Sequence, residues 1–303
     1  MNRLSLISLF GTSFTLLVWL MVLPVSSLAQ YGGNIQFDTG EHYLFPEEAP
    51  TYFLLGNDIL MRKCPSKECT ALASLKIGTP IRVIEKSEEP LTLKGVSVHW
   101  YKIKTSAGVG WIWGGWIAQG AIGSSQDPSV KFLAGYDRIE DRNHYYQIRV
   151  IKNGVEIDKI VIKSPTGNDY FQHFGSLGKK AMPNLHDILT VHVPGKASCG
   201  HWSGEVLIAW NGEKLVEMGT NGGIGDAEFS SSEYHIWPGD IDGVPGLVIR
   251  VSADTDQEEF EEDGEIRYRA FRKIRRSYLR WDGTKLAKTS KPAEVETYQL
   301  GEN

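Results

Sequence analysis

The chain has 303 residues, with 37 Asp and Glu against 32 Lys and Arg for a net charge of −5, and 41% of it is hydrophobic, nine tryptophans included. That composition excludes a disordered polypeptide, and the length suits about two domains. The mild acidity excludes a nucleic-acid partner, which would need clustered Lys and Arg to neutralise phosphates.

Met1-Asn2-Arg3 precedes an apolar run from Leu4 to Leu23, followed by Pro24 and by small residues at Ser27 and Ala29. A short basic start, an apolar stretch and small residues form a secretory signal, expected to span 1–29 and to be cleaved after Ala29. Cleavage removes one base, leaving 31 bases against 37 acids, a net of −6. The alternative is an uncleaved anchor, since roughly twenty apolar residues can cross a bilayer. Only then would the membrane be a partner. The expected location is exported, periplasmic or extracellular. Residues 30–49, with Gly32-Gly33 and Pro46-Glu47-Glu48, read as an irregular lead-in.

Residues 50–120 carry short apolar runs in the order Ile59-Leu60-Met61-Arg62, Ala71 to Leu75, Ile81 to Ile84, and Val96 to Ile117. The last run alternates at a period of two on either side of Gly108 and Gly110, which predicts two half-buried strands in a hairpin. Trp100, Trp111, Trp113 and Trp116 fall within seventeen residues of it, and such rings supply much of the buried area that a small barrel needs. Leu60-Met61-Arg62, Gly78-Thr79, Trp100-Tyr101-Lys102-Ile103 and Gly108-Val109-Gly110-Trp111-Ile112 stand in the order of the bacterial SH3-like domain, which this segment resembles. The resemblance implies a small barrel that binds cell-wall peptide or a protein partner. Cys64, Cys69 and Trp113 depart from the common pattern.

Cys64 and Cys69 flank a tight loop containing Pro65. In an oxidising compartment a pair this close reads as a disulfide. A zinc site would need about four ligands, and no His or Cys stands nearby in sequence. Trp111 and Trp113 share a face by alternation, and the resemblance makes Trp111 the core ring. Trp113 is then expected at the barrel's end beside Gly114-Gly115, where small residues leave room for a ligand. The expected ligand groove is built from Tyr101, Trp113 and Trp116, with Tyr52 as a fourth wall, and takes an extended peptide. The alternative is that these rings pack against the second domain.

Gly120 to Ser129 is turn-rich and without periodicity, so 121–129 reads as a linker. Residues 130–290 are β-rich. Asn153-Gly154, Asn211-Gly212 and Asp282-Gly283 each follow an apolar run, a strong hairpin signal. Trp210-Asn211-Gly212-Glu213-Lys214-Leu215 and Trp281-Asp282-Gly283-Thr284-Lys285-Leu286 match at a spacing of seventy-one residues, which predicts an internal β repeat. Gly239 to Ile249 resembles the Asp-rich calcium segment of propeller repeats, but Gly246 stands where a third acid would and the loop is shortened, so it reads as a strand-entry turn, with a calcium site as the alternative. Too few repeats are present to close a propeller, so the expected fold is mainly β, a small SH3-like barrel followed by a sandwich or partial propeller. Eight acids from Asp254 to Glu265 face seven bases from Arg267 to Arg280 in sequence, as expected for mutual neutralisation. Residues 291–303 read as a frayed polar tail.

Cys199-Gly200-His201-Trp202 invites comparison with papain-like peptidoglycan endopeptidases. Those place the cysteine at a helix start, where the helix end and a histidine stabilise the thiolate; Cys199 follows Ala197-Ser198 and leads into a strand. The histidines fit neither H-E-x-x-H nor a zinc cluster. The reading is a non-catalytic exported binding protein with no catalytic residue, metal or cofactor, whose partner is a peptidoglycan peptide or an envelope protein. The alternative is a cysteine peptidase or amidase acting through Cys199.

Overall fold

A computed structural model describes residues 51–166, 173–194, 200–226 and 229–302. The expected signal segment, the lead-in at 30–49 and Cys199 lie outside the described residues. The described residues are 67% strand, in three antiparallel sheets.

The first sheet contains β1 (Tyr52–Phe53), β2 (Ile59–Arg62), β3 (Ala71–Leu75), β4 (Pro80–Leu93), β5 (Val96–Thr105) and β6 (Gly108–Trp113), in the order β1-β4-β5-β6-β2-β3. It is curled into a half-barrel. The predicted hairpin is β5–β6, with Trp100 opposite Trp113 and Lys102 opposite Trp111. Along β5 the side chains of Val96, Val98 and Trp100 are buried, and then those of Tyr101 and Ile103. The buried side therefore switches between Trp100 and Tyr101, and both rings are covered. A 3-10 turn, Gly114–Trp116, follows β6.

The second sheet holds β7 (Gly120–Gly123), β8 (Val130–Glu140), β9 (Asn143–Lys152) and β10 (Val155–Lys163), in the order β10-β9-β8-β7. The third runs as a meander through β11 (His173–Ser176), β12 (Asp187–Val193), β13 (Ser203–Trp210), β14 (Leu215–Gly225), β15 (Ser230–Ile236), β16 (Val248–Glu262), β17 (Glu265–Trp281) and β18 (Leu286–Lys288), with β19 (Glu294–Glu302) also on β17. Phe132, Ile148 and Val150 of the second sheet share one core with Val191, Val206, Ile208 and Trp210 of the third. Phe132 and Trp210 meet edge to face at 6.0 Å. The opposite side of β12 and β13, at Ile188, Leu207 and Ala209, is covered by Trp237, Val248, Leu279 and Trp281. Alternation along the strands thus feeds two apolar layers, and the architecture is a sandwich rather than a partial propeller, because sequence neighbours pair within one continuous sheet.

The two matching Trp-Asx-Gly segments make the same turn. Asn211 Oδ1 accepts the N–H groups of Glu213 and Lys214 at 2.9 and 2.7 Å, and Asp282 Oδ1 accepts those of Thr284 and Lys285 at 2.8 and 2.9 Å. In each, only the glycine has positive φ, whereas Asn153 and Gly154 are both positive. The side-chain cap replaces the tighter turn, leaving four residues between Trp210 and Leu215 and between Trp281 and Leu286. In the segment compared with calcium loops, Asp240 accepts the Trp237 N–H at 2.9 Å and a bond from Lys180 at 2.8 Å, so its carboxylate holds the turn together.

Two expectations about connecting segments are corrected. The stretch read as a linker contributes to β7, and Ser124 and Ser125 then donate to the buried carboxylate of Asp187 at 2.5 and 3.0 Å. Ser129 hydrogen bonds, assisted by Lys152, hold the Asp127 carboxyl down to about 2. Short polar side chains that cap neighbouring backbone read as flexible from composition alone. The tail read as frayed is β19, with Glu296 on Arg276 at 3.0 Å and Glu294 accepting from Tyr278 at 2.6 Å. Its acids complement a basic strand, a partner invisible in the tail itself. Between the half-barrel and the sandwich, Leu55 and Ile77 pack on Leu133 and Ile151, and Lys131 lies 3.6 Å over the Phe53 ring.

Candidate functional site

The four aromatic residues expected to line a groove sit mostly inside the protein. Tyr52, Tyr101 and Trp113 are buried and Trp116 is half-buried. Burial pushes both phenols up to about 12, the neighbouring Tyr52 adding to the effect on Tyr101. Gly115 does leave room, but the Trp113 ring itself fills it: a Cβ on Gly115 would overlap that ring. Trp113 and Trp116 meet edge to face at 5.7 Å, and the Trp113 indole donates to the Leu91 carbonyl at 2.8 Å. The open groove expected beside Gly114-Gly115 is therefore a packed corner.

A groove does exist at the disulfide loop. Pro65, Ser66, Lys67 and Glu68 form one wall, Glu89, Pro90 and Leu91 the other, and Trp100 closes the bottom; the space is about 360 Å³. The first wall is the loop that the Cys64–Cys69 disulfide closes, with Cα atoms 5.7 Å apart. Ser66 N donates to the Cys64 carbonyl at 2.8 Å, and Arg62 Nη1 ties the Cys69 carbonyl to β2 at 2.7 Å.

The second wall comes from an interruption in β4. Pairing with β5 jumps from Lys86 opposite Tyr101 to Pro90 opposite His99, leaving three residues looped out. Pro90 has no N–H for a ladder, which suits a bulge. Ser87 holds the bulge from within: its hydroxyl donates to the Glu89 carbonyl at 2.9 Å and accepts the Trp100 N–H at 3.0 Å. His99 Nδ1 lies 2.8 Å from the Ser87 carbonyl. Glu89, Pro90 and Leu91 are thereby carried outward, and Trp113 braces Leu91 from behind. A cleft lined by Pro65, Pro90, Leu91 and Trp100 together with charged Lys67, Glu68 and Glu89 can hold a short extended peptide.

Residues 60–118 match the bacterial SH3 domain family. The match begins inside β2 and ends just after the 3-10 turn, so it takes in both walls of the groove, its floor and the disulfide. No curated protein and no solved structure matches the chain.

The SH3 segment thus has its cleft at the disulfide loop. Of the hairpin tryptophans, Trp100 is the one that reaches it. Sequence reasoning missed this cleft, although Pro90 inside an alternating run signals a bulge and Pro65 between two cysteines signals a rigid loop. Cys199 lies outside the described residues; His201, two positions on, is exposed.

Proposed function

We propose that this protein is a non-catalytic, exported envelope protein that binds a cell-wall peptide or a protein partner through the groove beside the Cys64–Cys69 loop. The bacterial SH3 match supports a binding domain, since such domains commonly bind peptidoglycan or proteins. The observation that carries the reading is the groove itself, walled on one side by a disulfide-closed loop and on the other by a proline-bearing bulge. Such walls lose little freedom when a ligand settles, and pre-organisation of this kind favours binding. The sandwich is a second structured body that holds the SH3 segment through Leu133 and Ile151.

Co-sedimentation with purified peptidoglycan sacculi tests this. Wild-type protein is expected to pellet with sacculi. Ser66→Trp, which fills the groove, and the Cys64→Ser/Cys69→Ser pair, which frees one wall, are expected to stay in solution. The pair should also lose about 2 kcal/mol of stability from loop closure, so it is measured well below its melting temperature. Undiminished pelleting by folded Ser66→Trp protein would remove the groove from the reading. Release of soluble wall fragments by wild type but not by Cys199→Ala would replace the binding protein with a peptidase.

A further inference from the structure

The groove's charged residues are arranged for a particular ligand chemistry, an inference that rests on the groove being the binding site. Lys67 and Glu68 stand on the disulfide loop and Glu89 on the facing wall, all three exposed. Among the described residues none of the three has an ion-pair partner. Elsewhere in the same half-barrel a comparable pair is closed, with Lys102 on Glu85 at 3.1 Å. The groove is thus lined by two carboxylates, from Glu68 and Glu89, and one ammonium, from Lys67, together with Trp100, Pro65, Pro90 and Leu91.

Carboxylates that line a groove together with an aromatic ring suit an ammonium group, which gains from both the charges and the ring. A lysine next to them suits a carboxylate on the same ligand. A space of about 360 Å³ lies near the lower end of small-ligand sites, enough for the end of a peptide rather than a long segment. We propose that the groove reads a zwitterionic peptide end, a residue that carries both a free ammonium and a free carboxylate, with the ammonium between Glu68 and Glu89 and the carboxylate on Lys67. Pro65, Pro90 and the disulfide restrain the backbone that carries the three charges, so recognition depends on their spacing rather than on net charge.

Titration calorimetry with a tripeptide ending in diaminopimelic acid tests the assignment in three forms: unmodified, acetylated on the free amine of the diaminopimelic acid residue, and amidated on the carboxylate beside that amine. Wild type is expected to bind the unmodified form about tenfold more tightly than either blocked form. Glu68→Gln/Glu89→Gln should lose the preference against the acetylated form only, and Lys67→Gln the preference against the amidated form only. All three residues are exposed, so these variants keep their fold, and unchanged melting temperatures check it. Equal affinity for the three forms overturns the zwitterion reading and leaves the groove standing. Failure of the tripeptide to bind protein that still pellets with sacculi also overturns it. Loss of sacculus binding by wild type itself overturns the groove as well.

Discussion

The β4–β5 hairpin of the SH3 half-barrel and the β16–β17 hairpin of the third sheet are built alike and used differently. Each is long, and each closes through a two-residue turn with both φ angles positive, Lys94-Gly95 in one and Asp263-Gly264 in the other. Gly95 is pressed against the backbone of Ile139, so that no Cβ would fit, whereas Gly264 faces open space. The first hairpin is roofed by β8, where Ile139 N donates to the Lys94 carbonyl at 2.9 Å. The second outruns its neighbours: β15 covers β16 only as far as Thr255, and β19 covers β17 only from Arg269 to Arg276. Beyond them, residues 256–268 stand as a two-stranded ribbon with seven acids and one base. The turn type decides that a hairpin forms, and side-chain chemistry decides whether anything covers it.

The largest effect is expected where β6 packs on the covered hairpin. Trp113→Ala removes a buried ring, its edge-to-face contact with Trp116 and the donor held by the Leu91 carbonyl. A loss of about 3–5 kcal/mol follows for truncating a buried tryptophan, measured by denaturant unfolding. If the variant keeps wild-type stability and loses only sacculus binding, the ring faces a ligand and the packed corner is wrong.

How far this could be read in the residues follows the same divide. Apolar alternation placed the β5–β6 hairpin, since side chains buried at a period of two leave their mark in sequence. Cys64 and Cys69 were legible because five residues of separation leave almost no other partner. The acids and bases were legible as facing strands, and the register sets Asp254 opposite Lys273 and Glu258 opposite Arg269, although the ribbon beyond keeps seven acids to one base. What stayed hidden depends on distant partners. Nothing in Glu294 or Glu296 announces Arg276 and Tyr278, and nothing in Ser124 announces Asp187. The groove stayed hidden because it is made by a register slip at Ser87, and aromatic residues were weighted above the proline that marks that slip.

A second effect, of intermediate size, is expected where the ribbon is rooted. His235 on β15 stands opposite Arg250 on β16, is buried beside Trp237 and shares a 2.7 Å hydrogen bond with Asn221. Burial first, and then the Arg250 charge, push it from its ordinary value of 6.5 down to about 4. Between those values the unfolded chain binds a proton that the folded chain does not, so stability rises with pH through that window. The contribution is complete above 6.5 and is lost as pH falls toward 4. Its full size is about 3 kcal/mol. His235→Gln keeps a hydrogen-bonding group toward Asn221 and should flatten the stability profile between pH 6.5 and 4 relative to wild type. Parallel profiles for the two proteins would show that the histidine accepts its proton in the folded state.

The smallest effect belongs to the tip of the ribbon, and one substitution made in both hairpins measures the contrast directly. Ile103 in β5 is fully buried, whereas Ile266 in β17 is 63% exposed, with Glu261 across from it. Threonine keeps the β-branch and the strand preference of the isoleucine it replaces, but loses the terminal methyl and gains a hydroxyl. Both changes probe burial. At Ile103 the change removes apolar area and buries a polar group, costing about 2–4 kcal/mol. At Ile266 there is little area to lose and water stays available to the hydroxyl, so the expected change is within about 0.5 kcal/mol of zero. Denaturant midpoints for the two variants, measured side by side, give the difference. A loss above 1 kcal/mol at Ile266 would mean that the ribbon tip is covered in solution, and that the arm, like the half-barrel hairpin, is packed against something.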